Sequence, residues 1–357
     1  MANRLVVIDA DDDAFVDRLQ RAWDAGDAVL PLDPRLPAPA RRDVLTAARL
    51  EDVVEPGDAL VMITSGTTGA PKAVVLTHDA VRASAIATSA RLQVDPARDR
   101  WLACLPLSHV GGLSVVTRAL LTTTPLTVHH RFDAREVERA ARAGCTLISL
   151  VPTALARVDP TLFRQILVGG QAPPADRPAN VIATYGMTET GSGIVYDGHP
   201  LDGVDVRIDA NGEIHVRTRM SLRAYRDGTD PKDPDGWLPT GDLGELRAGR
   251  LVVHGRRGDL IITGGENVWP AAVEAALLAH PAVREVAVSG RVDPEWGQRV
   301  VATVVPTDPG APPSLDDLRA WARDTLPAYA APRELVLAAA LPRTTSGKVR
   351  REGLSPS

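Results

Sequence analysis

The chain has almost no lysine. Of its 40 Lys+Arg residues only three are lysines, Lys72, Lys232 and Lys348. Arginine solubilises a surface as well as lysine does, so surface chemistry gives little reason to keep these three. A compact ammonium on a flexible stem fits a small space beside an anion, where the flat guanidinium fork does not. Cysteine is nearly absent too: Cys104 in WLACLPL and Cys145 in AGCTLISL lie in apolar runs without metal-ligand spacing, which argues against a redox or metal centre and for buried thiols. Long hydrophobic runs are missing, the longest being LVLAAAL at 335–341, far short of a bilayer span. The opening MANRLVVIDADDDAF lacks the charged-then-apolar pattern of a signal peptide. Finally there is no basic excess. A net charge of −5 and a pI near 5.9 argue against nucleic acid or an anionic membrane as the main partner. A cytoplasmic protein is expected.

With 44% apolar and 24% charged residues over 357 positions, the chain has room for about two domains with their own cores. From about 60 to 200, short apolar runs (ALVMIT, RWLACLPL, PLTVHH, CTLISLVP, QILVGG, NVIATYG) alternate with helical stretches such as THDAVRASAIATSARL and DAREVERAARAG. That alternation predicts an α/β fold with mostly parallel sheets flanked by helices, whose ligands collect at the carboxyl ends of the strands. Between about 200 and 255 the pattern changes to period two around Asn211-Gly212, which predicts a small antiparallel β subdomain. Past GRRGD at 255–259 comes a compact α+β tail with a helix in PAAVEAALLAH and another, opened by a Ser314/Asp317 capping box, in SLDDLRAWARDTL. The expected domains are 1–255 and a smaller, mobile 256–357.

Chemistry concentrates in ITSGTTGAPKAVVLTH, 63–78. Hydroxyls and glycines directly after an apolar strand (Thr64, Ser65, Gly66, Thr67, Thr68, Gly69), with Lys72 close behind, suit a loop that wraps phosphate oxygens. It is not a Walker loop, because Pro71 stands where a glycine must precede the lysine.

TSGTTGAPK, ATYGMTET (183–190), GWLPTGDLGEL (236–246), GRRGDLIITGGENVWP (255–270) and PRTTSGK (342–348) resemble, in order, the core motifs of the adenylate-forming superfamily of acyl-CoA synthetases, adenylation domains and luciferases. VLPLDPRLPAPARRDVL resembles an earlier family segment. The resemblance implies ATP, Mg²⁺ and CoA as cofactor and cosubstrates: a carboxylate is first adenylated, then passed to a thiol. It also implies residue roles. Tyr185 and Gly186 form an adenine platform, Thr188 and Glu189 stand on the metal side, and Asp242 accepts from the ribose hydroxyls beside Arg256. Gly258 is the hinge, Gly264 and Gly265 line the tunnel of CoA, and Lys348 is the cation of the first half-reaction, with Lys72 a second catalytic lysine.

In LPLSHVGGLSVV (105–116), His109 resembles the family histidine that borders the acyl pocket and gates the thiol. LISLVPTALARV (147–158) is read with Thr153 as a helix N-cap and Arg157 one turn in, a cation for a second substrate carboxylate in a pocket whose glycine-rich wall holds Gly169 and Gly170. With the short length, these features are similar to the o-succinylbenzoate-CoA ligases of menaquinone biosynthesis, in their short actinobacterial form. The alternatives are a CoA ligase for another aryl or acyl acid, an adenylation enzyme that loads a carrier protein, and a nucleotide-binding protein without catalysis. The expected partners are a small carboxylic acid, ATP and CoA, with a homodimer as the assembly to consider and neither nucleic acid nor membrane.

Overall fold

The computed structural model describes residues 3–65, 71–170, 176–343, 349 and 354. The chain divides into two compact units, Met1–Val206 with His215–Pro239, and Arg207–Ile214 with Thr240–Ser357.

In the first unit the apolar runs become two sheets. One has the order Leu5–Asp9, Ala28–Leu32, Asp58–Ser65, Pro71–Thr77, Ala224–Tyr225; its first three strands are parallel and the last two pairings antiparallel. The antiparallel partner Pro71–Thr77 places Lys72 inside a strand, paired with Thr64. The other sheet runs parallel from Val181–Met187 through Gln165–Val168, Leu147–Leu150 and Trp101–Ala103 to Leu126–Val128, and adds Ser192–Tyr196 and His199–Pro200 antiparallel at the opposite edge. The inner strands Trp101–Ala103, Leu147–Leu150 and Gln165–Val168 are buried almost throughout, as a sheet covered on both faces requires.

The helices start where local chemistry lets them. His78–Arg91 opens on Thr77, whose hydroxyl accepts from the Ala80 N–H, and Ala134–Arg142 opens on Asp133, which accepts from the Glu136 N–H. Val110–Leu121 can approach the Leu105–Pro106 turn closely because a Cβ on Gly112 would stand 2.4 Å from the Pro106 carbonyl oxygen. Both cysteines are free and buried, and burial pushes the Cys104 thiol up to about 12.

In the second unit, the Asn211-Gly212 signal is a turn of three residues, not two. The Asp209 N–H donates to the Glu213 carbonyl, Asp209 Oδ1 accepts from the N–H groups of Asn211 and Glu213, and Gly212 takes the left-handed position at φ 80°. Strands Leu238–Arg247 and Arg250–Arg256 pair with Asp242 opposite Arg256. The tail builds a sheet in the order Glu266–Val268, Ile261–Thr263, Gly297–Pro306, Val283–Asp293, with Glu334–Leu337 parallel to Gly297–Pro306. Helices Pro270–Leu278 and Leu315–Arg323 cover it, burying Val273, Leu277, Leu318 and Ala322 against Val288, Ala302 and Val304. The Ser314/Asp317 capping box is present. Among the described residues no helix is long and apolar enough to cross a membrane.

Candidate active site

Strand Val181–Met187 carries Tyr185 and Gly186 and leads directly into a 3-10 turn, Thr188–Thr190. Two features fix this turn. Thr190 is fully buried, and its hydroxyl accepts from the Met187 N–H and donates to a backbone carbonyl, that of Ser192 (2.9 Å) or Met187 (3.0 Å). Gly191 then closes it at φ 67°. Gly186 must be glycine, since a Cβ there would lie 2.2 Å from the Ser192 carbonyl oxygen in the neighbouring strand. The packing leaves Tyr185 half-buried beside a bare backbone, the arrangement an aromatic platform requires.

Glu189 is 7% exposed and forms no ion pair among the described residues. Its Oε1 accepts a 3.0 Å hydrogen bond from the Tyr225 hydroxyl. A buried carboxylate held by a neutral phenol lacks a cation, and with Thr188 beside it the donor set fits a hard divalent ion such as Mg²⁺. The Lys72 ammonium lies over the ring of the same tyrosine, 4.9 Å from its centroid. Tyr225 therefore links two residues that the sequence assigned separately. It stands in a two-residue strand within AYRDGT, where no periodicity or motif marks it.

His109 occupies the N-cap position of Val110–Leu121, half-buried. Asp33 is clasped by Arg35 through both carboxylate oxygens at 2.8 Å, and these bonds hold its pKa below the usual aspartate range against the opposing cost of burial. Gly169, after strand Gln165–Val168, packs so close to Thr184 that a Cβ would meet its hydroxyl at 2.8 Å, and Gly170 takes φ 84°.

The cation read for a second carboxylate stands elsewhere than expected. Val151, not Thr153, is the N-cap of helix Pro152–Leu155; Arg157 lies past the helix end, exposed, its guanidinium over the Phe132 ring at 5.1 Å. A short helix opened by Pro152 leaves no turn for Arg157 to occupy. Arg118, by contrast, is 2% exposed. Its Nε and Nη1 have no hydrogen-bond partner among the described residues, its Nη2 reaches Ser192 Oγ at 3.4 Å, and it lies over the Trp101 ring at 4.9 Å. Beside it is a cavity of about 10 Å³, room for one water molecule, bordered by Ser84, Ser114, Thr117 and Gly191. A lone charge in the apolar helix VGGLSVVTRALL was the available signal.

In the second unit the Arg256 Nε lies 3.4 Å from Asp242 Oδ1, with Asp242 in mid-strand rather than at a helix cap. Glu213 steadies this pair from below, accepting from the Gly241 N–H at 3.0 Å and pairing with Arg257 at 2.6 Å. Gly258 sits in the 3-10 turn Arg257–Asp259 with open space around a Cβ. Gly264 and Gly265 both take positive φ, 60° and 84°. Gly264 packs on Trp296, which a Cβ would meet at 2.8 Å, so the bareness of this loop also serves its own packing. Gly66, Thr67, Thr68, Gly69 and Lys348 lie outside the described residues, as does the Ser65 side chain.

On the first unit, an aromatic strand end, a buried carboxylate without an ion pair among the described residues and a lysine in a paired strand suit an enzyme that activates carboxylates with ATP. Residues 50–226 match the AMP-binding enzyme pattern and residues 272–348 that of the AMP-binding enzyme C-terminal domain; the chain belongs to this family. It is 41% identical over 352 residues to the Probable 2-succinylbenzoate–CoA ligase of Mycobacterium tuberculosis (strain ATCC 25618 / H37Rv), covering 90% of this chain and 91% of the relative. The o-succinylbenzoate CoA synthetase of Bacillus subtilis, in complex with an acyl-adenylate intermediate, matches with a TM-score of 0.79 and 31% identity over 99% of this chain and 83% of that one. The same enzyme with ATP and magnesium ion matches with a TM-score of 0.78 and 31% identity, over 98% and 83%.

Proposed function

We propose that the protein is an AMP-forming ligase that joins 2-succinylbenzoate to CoA, a step of menaquinone biosynthesis. The carboxylate oxygen attacks the α-phosphorus of ATP and the bond to pyrophosphate breaks; the CoA thiolate then attacks the acyl carbon and AMP leaves. The observation that carries the dicarboxylate assignment is Arg118. A buried guanidinium with two nitrogens that find no partner among the described residues is costly unless an anion, or a water bridging to one, completes it. A monocarboxylic acid spends its one carboxylate on the reaction, whereas 2-succinylbenzoate keeps a second.

In this reading Lys72 meets the phosphates, Tyr185 stacks on adenine, and Asp242 with Arg256 holds the ribose. Glu189 and Thr188 would hold Mg²⁺, which when bound would neutralise phosphate charge. Lys348 serves adenylation, and the segment from 256 onward turns about Gly258 to bring Gly264 and Gly265 to the CoA chain. Supporting the pivot, a Cβ on Gly258 would meet nothing within 4 Å beyond its own chain neighbours. The cytoplasm supplies ATP and CoA and is the compartment this chemistry needs; a homodimer belongs to the same proposal.

A panel of acids with ATP and CoA, followed by pyrophosphate release and thioester mass, tests it. 2-Succinylbenzoate should exceed benzoate and monocarboxylic acyl chains by on the order of 10²-fold in kcat/KM, the discrimination expected of a site built around one buried charge. Equal use of monocarboxylic acids would overturn the assignment.

A further inference from the structure

Three cations are committed to holding two residues. Strand Ala224–Tyr225 is too short to be stable by its own pairing with Val74 and Val75. Arg223 grips Asp58 with Nε and Nη2 (2.8 and 3.0 Å) and Glu55 with Nη1 (2.8 Å). The Arg226 guanidinium donates to four backbone carbonyls, those of Ala48, Arg49, Asp52 and Val53. Lys232, the third of the three lysines, donates from Nζ to the carbonyls of Leu222 and Arg223 at 2.8 and 3.0 Å and pairs with Asp230 at 2.8 Å. The Leu222 N–H in turn donates to the Glu189 carbonyl at 2.7 Å. The segment is thereby fixed both to the strand of Lys72 and to the turn of Glu189.

What this anchoring presents is the Tyr225 side chain. Its ring face attracts the Lys72 ammonium and its hydroxyl donates to Glu189, while Lys72 and Glu189 form no ion pair with each other among the described residues. A direct pair would neutralise both charges and leave neither for a ligand. A rigid phenol between them satisfies each weakly and keeps each available.

We infer that Tyr225 is a positioning residue of the ATP site, holding Lys72 and Glu189 in place and apart so that the ammonium serves the polyphosphate and the carboxylate serves the divalent cation, with Lys232 as the clip that holds Tyr225. This rests on the reading of Lys72 and Glu189 given above. Calorimetric binding of ATP over a range of Mg²⁺ concentrations tests it without any acid or turnover. Tyr225→Phe keeps the ring and removes the hydroxyl: the Mg²⁺ concentration for half-maximal ATP binding should rise about tenfold, with ATP affinity at saturating Mg²⁺ within twofold of wild type. Tyr225→Leu should add a loss of about fivefold in that saturated affinity. Lys232→Met, which leaves Tyr225 in the chain, should give both losses at once. An unchanged Mg²⁺ requirement in Tyr225→Phe, in a protein whose thermal unfolding matches wild type, overturns the inference alone. A wild-type protein that binds no MgATP overturns the functional reading and this inference with it.

Discussion

The Arg118 guanidinium lies 4.9 Å from the centre of the Trp101 ring, both residues buried, and no carboxylate pairs with it among the described residues. Burial pushes its pKa down, the sign of a charge the fold carries at a cost. Arg118→Met should therefore change stability and activity in opposite directions. Removing an unpaired buried charge while filling its space should raise the thermal midpoint by a few degrees. The same change should raise KM for 2-succinylbenzoate by about 10- to 100-fold, the worth of a hydrogen bond to a charged group. Calorimetric melting and steady-state kinetics read both; a lower midpoint with unchanged KM would assign Arg118 to structure.

Asp33 gives a pH prediction with a definite sign. The Arg35 side-chain hydrogen bonds, opposed by burial and helped by the Arg35 N–H, hold its folded pKa below the ordinary 3.8. A carboxylate depressed on folding stabilises the protein above its unfolded pKa and loses that contribution as pH falls through the folded one. Urea unfolding of wild type and Asp33→Asn should show a constant gap above about pH 5 that closes below about pH 4. A gap independent of pH down to 3 would remove the charge from the account.

The α/β architecture was legible because its signals are local: short apolar runs alternating with helical stretches, and Ser314 and Asp317 as a capping box. Lys72 was legible as a residue but not in its setting, since AVVLT reads equally as the end of a loop or as a strand until Asp58–Ser65 is there to pair with it. Arg157 stood out in the sequence because a residue near a Pro-Thr helix start looks placed, whereas nothing but its charge marked Arg118. Burial, which separates them, depends on contacts far along the chain, Ser192 among them. Tyr225 was invisible for the same reason: its meaning lies in Lys72 and Glu189, both distant in sequence.

Two glycines should respond differently to one methyl group. At Gly186 a Cβ would press on backbone, the Ser192 carbonyl at 2.2 Å and the Gly193 Cα at 2.7 Å, so the strands flanking Tyr185 and Glu189 must part. Gly186→Ala should cost about 1–3 kcal/mol and weaken MgATP binding at least tenfold. At Gly258 nothing lies within 4 Å and the backbone is not left-handed, so Gly258→Ala should leave melting and MgATP binding within error of wild type. Parallel melting and calorimetry of the two variants check the contrast, and a Gly186→Ala protein with wild-type binding would refute the close-packing argument.

The two half-reactions separate the two ends of the second unit. In the proposed mechanism the Lys348 ammonium serves the first step, where negative charge moves onto the bridging phosphate oxygen, and one such contact is typically worth about 10²- to 10³-fold in rate. Lys348→Ala should therefore slow adenylate formation by that factor while a supplied acyl-adenylate still reacts with CoA at close to the wild-type rate. Gly258→Pro should do the reverse. Proline fixes φ and restricts the preceding Arg257, so a turn that must change its dihedrals between steps loses its freedom. Adenylation, measured by pyrophosphate exchange, should stay within about threefold, while thioester formation from supplied adenylate falls by more than tenfold. If both variants slow both steps alike, Gly258 is not a pivot and Lys348 does not belong to one step.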